Sequence, residues 1–182
     1  MPPHNEMLDA IAFAALVARC APDVHPTTME TIVRTESSLN PYAIAIAGKE
    51  GRAGWHLQRQ PRTLQEAIDT ADELIRRGLN FSAGAGQINY RNWPKYGLNT
   101  RNVFDACTNL HVASQIYVEC VERAKRRTSD EQHAYRLALS CYNSGNFTTG
   151  FREGYVQQAL RNIPKSTQKT RLSSNIFRST KK

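Results

Sequence analysis

Apolar residues recur at the 3.6-residue period of an α-helix along most of this 182-residue chain, and nearly every stripe runs into a proline, glycine or asparagine stop. Leu8–Arg19 is apolar nearly all round and ends before Ala21-Pro22, which predicts a buried first helix. Met29, Ile32 and Val33 mark a second helix, from Pro26 or Thr27 to about Leu39, stopped by Asn40-Pro41. Thr63-x-x-Glu66 is a capping box ahead of an inward stripe of Leu64, Ala67, Ile68, Ala71, Leu74 and Ile75, with Gly78 as the stop. A long helix is predicted over about 108–126, on Leu110, Ala113, Tyr117, Val121 and Ala124. Asp130 caps the next, whose stripe of Ala134, Leu137, Ala138, Cys141 and Tyr142 ends at Asn143-Ser144-Gly145, and a last helix spans about Gly154–Asn162. The one β signal is Tyr42–Ala47, where large and small apolar residues alternate ahead of Gly48-Lys49-Glu50-Gly51; it predicts a short hairpin or extended lobe running to Trp55. Asn80–Tyr96, rich in glycine, asparagine and aromatic residues, is expected to be irregular. The resulting fold class is mainly α: a single helical domain with a small β-hairpin lobe.

That length suits one well-buried domain, read as residues 1–163, followed by a basic tail over 164–182. Lys165, Lys169, Arg171, Arg178, Lys181 and Lys182 supply six of the eight net positive charges. The body is therefore nearly balanced, which argues against a dedicated nucleic-acid face. No apolar run is long enough for a membrane span, and Ile11–Ala18, with Asp9 upstream and no basic leader, reads as a domain helix. Cys20, Cys107, Cys120 and Cys141 show no Cys-x-x-Cys spacing, and His25, His56, His111 and His133 follow no ligand pattern, so neither a metal site nor a cofactor is predicted.

One residue breaks the helical pattern. Position i+7 of the Met29, Ile32, Val33 stripe is Glu36, so a carboxyl group is placed on the core-facing side of its helix. Burial favours the protonated form of such a group, as a general acid near neutral pH requires. A glutamate is also poorly matched to the negative end of a helix, where Lys or Arg is the stabilising choice.

Glu36-Ser37 is followed by Gly84-Ala85-Gly86-Gln87-Ile88-Asn89 and then by Cys141-Tyr142-Asn143-Ser144-Gly145. This ordered trio resembles the Glu-Ser, Gly-Leu-Met-Gln-Ile and Ala-Tyr-Asn-Ala-Gly motifs of the lytic transglycosylases of the lysozyme-like superfamily. Asn40-Pro41-Tyr42-Ala43-Ile44 and Ser144-Gly145-Asn146-Phe147 resemble the branch associated with type IV secretion systems. The chain departs from the second motif, with Ala85 and Gly86 where leucine and methionine are usual.

The resemblance implies a peptidoglycan lytic transglycosylase, periplasmic, that opens the wall locally for a secretion or conjugation apparatus. Its substrate would be the glycan strand, and its partners components of the type IV secretion system. It further implies that Glu36 is the acid and then the base, with Tyr142 reaching its carboxyl, and that Ser37, Gln87, Asn89 and Asn143 bind substrate. Two other readings stay open: a hydrolytic lysozyme pairing Glu36 with Glu50, and a non-catalytic glycan-binding assembly factor. Of Tyr90, Trp93 and Tyr96, at least two are expected to be packing residues rather than sugar platforms. In an oxidising envelope the cysteines are expected as two disulfides. Cys107 and Cys120 on one helix stand roughly 20 Å apart along its axis, beyond bonding reach. Cys20–Cys107 with Cys120–Cys141 is preferred over Cys20–Cys120 with Cys107–Cys141, because Cys120 and Cys141 lie on consecutive helices joined by a short connection.

Overall fold

The predicted stripes form helices in the computed structural model, which describes residues 4–47 and 56–165, with side chains from residue 11. Helix α1 is His4–Cys20, α2 Pro26–Ser37, α3 Leu64–Arg76, α4 Trp93–Tyr96, α5 Ala106–Lys125, α6 Glu131–Ser144, α7 Thr149–Arg152 and α8 Tyr155–Arg161. Strands β1 (Ile44–Ile46), β2 (Phe81–Ala83) and β3 (Ile88–Asn89) form an antiparallel sheet in that order. This is the mainly helical architecture expected. The residues group into two compact units, 1–35 with 114–182, and 36–113; the divisions fall inside α2 and inside α5. Among the described residues no helix is long and apolar enough to cross a membrane.

In the first unit α6, α7 and α8 pack on one another. Ala134, Ala138 and Ala159 are fully buried there, and side chains this small let helix backbones approach closely. Cys120 on α5 and Cys141 on α6 are disulfide-bonded, with Cα atoms 5.7 Å apart, as the preferred pairing anticipated. Cys20 and Cys107 are in disulfide form as well. Helix α1 departs from expectation. Val17 and Cys20 are buried, but Ile11 is 63% exposed and Ala12, Ala15 and Ala18 face solvent. Much of the apolar surface that suggested burial is alanine, whose small area costs little when wet.

The sheet of the second unit pairs residues far apart in the chain. Ile44 lies opposite Ala83 and Ile46 opposite Phe81, while Ser82 pairs with Asn89. Among the described residues the partner of β1 is thus β2, inside the segment expected to be irregular. Two- and three-residue strands are too short to show alternation, so the cross-strand bonds that define them leave no local signal. Residues 48–55, the remainder of the predicted lobe, lie outside the described residues, as does most of the basic tail. Edge strand β1 is closed by a side chain: Ile44 N–H donates to Gln60 Oε1 at 2.8 Å and Gln60 Nε2 donates to Ile44 O at 3.0 Å. The Gln60 amide thereby replaces a neighbouring peptide on the exposed edge.

Helix α3 starts as its capping box predicts, with Thr63 accepting from Glu66 N–H at 3.2 Å. The reciprocal arm falls one residue earlier, since Glu66 Oε2 accepts from Arg62 N–H at 2.8 Å, and Arg59 grips the same carboxylate in two-pronged fashion at 2.9 Å. Leu64, assigned inward, is 44% exposed, because the packed stripe begins a turn later with Ala67, Ala71 and Leu74. Phe81 of β2 forms an aromatic cluster with Tyr90 and Trp93, which follow β3: Tyr90 is stacked on Phe81 at 5.3 Å and both are edge-on to Trp93. Trp93 is buried and donates from Nε1 to Ile88 O at 3.1 Å, so Trp93 and Tyr90 serve as packing residues.

Candidate active site

Helix α2 delivers Glu36 from a well-formed start. His25 caps it, its Nδ1 accepting from Thr27 N–H at 3.2 Å and its carbonyl from Thr28 and Met29 N–H, with Pro26 in the first helical position. Burial lowers the pKa of His25 and so favours the neutral ring that this cap requires. Met29, Ile32 and Val33 are fully buried, which bears out the stripe, and Glu36 at its end is half-buried. The last turn is fastened by Asn162, which donates from Nδ2 to Thr35 Oγ1 at 3.1 Å.

The helix then stops two residues sooner than predicted. Ser38 and Leu39 both adopt left-handed backbone, with φ of 54° and 67°. Non-glycine residues occupy this region at a cost of about 1–2 kcal/mol each. A local network compensates: Asn40 N–H donates to Ser37 O at 3.1 Å, and Asn40 Oδ1 accepts from Tyr42 N–H at 2.9 Å. Proline at 41 explains why the helix cannot continue through Asn40. The chain turns sharply at this point, and Glu36-Ser37 is left at the helix end.

Gln87 immediately precedes β3 and Asn89 ends it. Gln87 has φ of 51°, the third left-handed non-glycine residue in the described chain. Its Nε2 donates to Ala43 O and to Gly84 O, each at 2.9 Å, and its backbone N–H closes the turn onto Gly84 O at 3.0 Å. Two carbonyls on one side of the amide fix its orientation, so the atom it presents elsewhere is the acceptor Oε1. Asn89 accepts from Arg91 N–H at 3.1 Å and so caps the 3-10 turn Tyr90–Asn92; its Nδ2 lies 3.5 Å from Ser82 Oγ.

Behind the Gln87 turn sits Asn109, 1% exposed, in the first turn of α5. Its Oδ1 accepts from Gly86 N–H at 2.7 Å, and its Nδ2 donates to Val103 O at 2.8 Å and Ala83 O at 3.2 Å. Sequence reading passed over Asn109, although the signal matched that of Glu36: a polar residue beside Leu110 on an inward stripe. Asp105 sets where α5 begins, accepting from Thr108 N–H at 2.8 Å.

In the other unit, Tyr142 and Asn143 occupy the last turn of α6, half-buried and exposed respectively. Gly145 ends that helix at φ of 76°, its N–H donating to Cys141 O at 2.7 Å. Arg123 reaches across from α5, with Nη1 3.3 Å from Cys141 Sγ and Nη2 donating to Gly145 O at 3.2 Å. Ser140 is fully buried; its hydroxyl donates to Asn146 O at 2.9 Å and accepts from Gly150 N–H at 3.0 Å. A Cβ on Gly150 would fall 2.7 Å from Ser140 Cα, so glycine is required for this fit. The Tyr142 turn is thus braced by a disulfide, an arginine and a buried hydroxyl. Glu50, the rival carboxylate, lies outside the described residues.

Comparison with known proteins agrees with these motifs. The chain is similar to the type IV secretion system protein VirB1 of Brucella abortus and of Brucella suis, 44% identical over 164 residues in each case, which covers 87% of this chain and 66% of the relative. It is also 33% identical over 146 residues to protein VirB1 of Agrobacterium fabrum, covering 80% of this chain and 57% of that protein. The chain therefore spans less than two thirds of the length of these relatives. No solved structure matches it. The transglycosylase SLT domain model matches residues 13–163, the stretch that carries all three motifs, and the chain belongs to that family.

Proposed function

We propose that this protein is a peptidoglycan lytic transglycosylase that cleaves the β-1,4 bond between N-acetylmuramic acid and N-acetylglucosamine, forming a 1,6-anhydromuramoyl product. The observation that carries the reading is the family match over 13–163 together with a half-buried carboxyl, Glu36, at the end of a fully apolar helix stripe. Glu36 donates its proton to the glycosidic oxygen as the C1–O bond breaks, and the substrate's acetamido oxygen stabilises the anomeric carbon. The ionised Glu36 then takes the proton from the C6 hydroxyl, whose oxygen bonds to C1. No water is consumed, and the carboxyl ends protonated, ready for another turn. A residue that is acid in one step and base in the next works best with a pKa near ambient pH. Tyr142 keeps its catalytic role in this proposal, and Ser37, Gln87, Asn89 and Asn143 their substrate-binding roles.

The names of the VirB1 relatives support a place in type IV secretion, with wall opening on the periplasmic side for assembly of the apparatus. Within the proposal, residues 1–163 form the catalytic domain and 164–182 a basic extension. The test is mass spectrometry of muropeptides released from purified wall. Anhydro-muropeptides are expected; reducing-end sugars would favour a lysozyme. Glu36→Gln should lower turnover by roughly 10²–10⁴-fold with an unchanged melting temperature. Wild-type turnover in that variant would overturn the assignment, and release of no muropeptides by the wild-type protein would leave a glycan-binding factor.

A further inference from the structure

We propose that Asn109 is a positioning residue for substrate binding by Gln87, a role that rests on the transglycosylase reading above. Asn109 is 1% exposed on a helix turn whose Leu110 and Ala113 are also buried, and burying a primary amide is costly unless every polar atom is bonded. All are. Oδ1 takes the Gly86 N–H, and the two Nδ2 protons go to Ala83 O and Val103 O. One side chain therefore holds both legs of the β2–β3 turn and ties them to the segment leading into α5.

The turn gains little from side-chain packing of its own. Ala85 and Gly86 offer almost no side chain to pack, and Gln87 must stay in left-handed backbone. Gly84 is shaped to admit the asparagine: it has φ of 81°, and a Cβ there would lie 2.0 Å from Asn109 Nδ2 and 2.7 Å from Val103 O. Gly84 O is in turn one of the two carbonyls that orient the Gln87 amide. The chain of contacts runs from Asn109 through the Gly84–Gly86 backbone to Gln87. Its outcome is the direction of Gln87 Oε1, a hydrogen-bond acceptor to which no described residue donates. An acceptor selects a donor on the ligand, here a sugar hydroxyl or an acetamido N–H. Asn109 acts on the substrate only through Gln87, and this separates it from a residue that merely supports the fold.

The experiment is a double-mutant cycle on purified wall with wild type, Q87A, N109A and Q87A/N109A, with N109S in place of N109A should the latter not fold. N109S keeps a polar group in the buried site, but its shorter side chain cannot span the Gly86 N–H, Ala83 O and Val103 O together. In the wild-type background N109A should lower kcat/KM roughly tenfold, mainly through KM, with the melting transition still above the assay temperature. In the Q87A background it should cost less than about twofold, since the interaction it serves is already gone. An equal loss in both backgrounds, or no loss in either, overturns the proposal. Hydrogen exchange at the Gly86 amide provides a readout independent of activity: protected in wild type and fast in N109A. If wild type releases no muropeptides, the functional reading has failed, whereas unchanged Gly86 exchange in N109A overturns the positioning role itself.

Discussion

Replacing both Cys120 and Cys141 with alanine removes the covalent link between α5 and α6, one residue before Tyr142. The bond closes a loop with a sequence separation of 21. Loop-closure entropy then gives about 11 cal/mol/K, or about 3 kcal/mol at 25 °C, that the crosslink withdraws from the unfolded chain. Both cysteines are buried, and removing their sulfur atoms leaves a void that adds about 1 kcal/mol. The total, about 4 kcal/mol, is a large share of the stability of a domain this size. Urea titration followed by circular dichroism reads it directly. The midpoint should fall, and the slope m should rise, because the unfolded chain loses a constraint and exposes more surface. A loss under about 1 kcal/mol with an unchanged slope would show that the crosslink does not restrict the unfolded ensemble, and would refute the reasoning.

Further predictions concern pH and packing. Arg59 first, then the Arg62 N–H, holds the Glu66 carboxyl at a pKa of about 2 against an ordinary 4.5, so its stabilisation is present above pH 4.5 and is lost as pH falls toward 2. Acid titration of Glu66→Gln should lack that limb, and an identical acid midpoint would refute it. His25 has the opposite chemistry but the same direction: its lowered pKa means that stability is full above pH 6.5 and falls below it. His25→Asn keeps a capping group without a titration, so its melting temperature should decline less between pH 7 and 5 than that of wild type; parallel declines would count against the cap. Gly84→Ala should destabilise by roughly 3 kcal/mol, from left-handed strain and the clash with Asn109, and a loss under about 1 kcal/mol would contradict both. Tyr117 is buried with no hydrogen-bond partner for its hydroxyl among the described residues, so Tyr117→Phe should be neutral or stabilising by up to about 1 kcal/mol in a thermal melt. Marked destabilisation would show instead that the hydroxyl is satisfied in solution.

Helices were the legible part of this fold. Their signal lies within a few residues, as in the Thr63 cap, the Met29-Ile32-Val33 stripe, or the Asp130 start with its Gly145 stop. Boundaries shifted where the backbone did something side-chain periodicity cannot express, as at Ser38 and Leu39. Burial of α1 was overestimated because a run of alanines counts as apolar whether it is packed or wet.

By itself the sequence determined the helical class, the order of the three motifs, and a glutamate on an apolar stripe, because each is written in residues close along the chain. Only the tertiary structure decided the sheet, since β1 finds β2 beyond the whole of α3 and no strand is long enough to announce itself. Tertiary structure likewise decided what the motif residues do with their polar atoms. Gln87 commits both amide protons to its own backbone surroundings and keeps its oxygen, and Asn109, unremarked in the sequence, holds that turn from behind. A buried amide finds its partners in space, and spatial neighbours brought in from residues 83, 86 and 103 leave no periodic trace for a sequence to show.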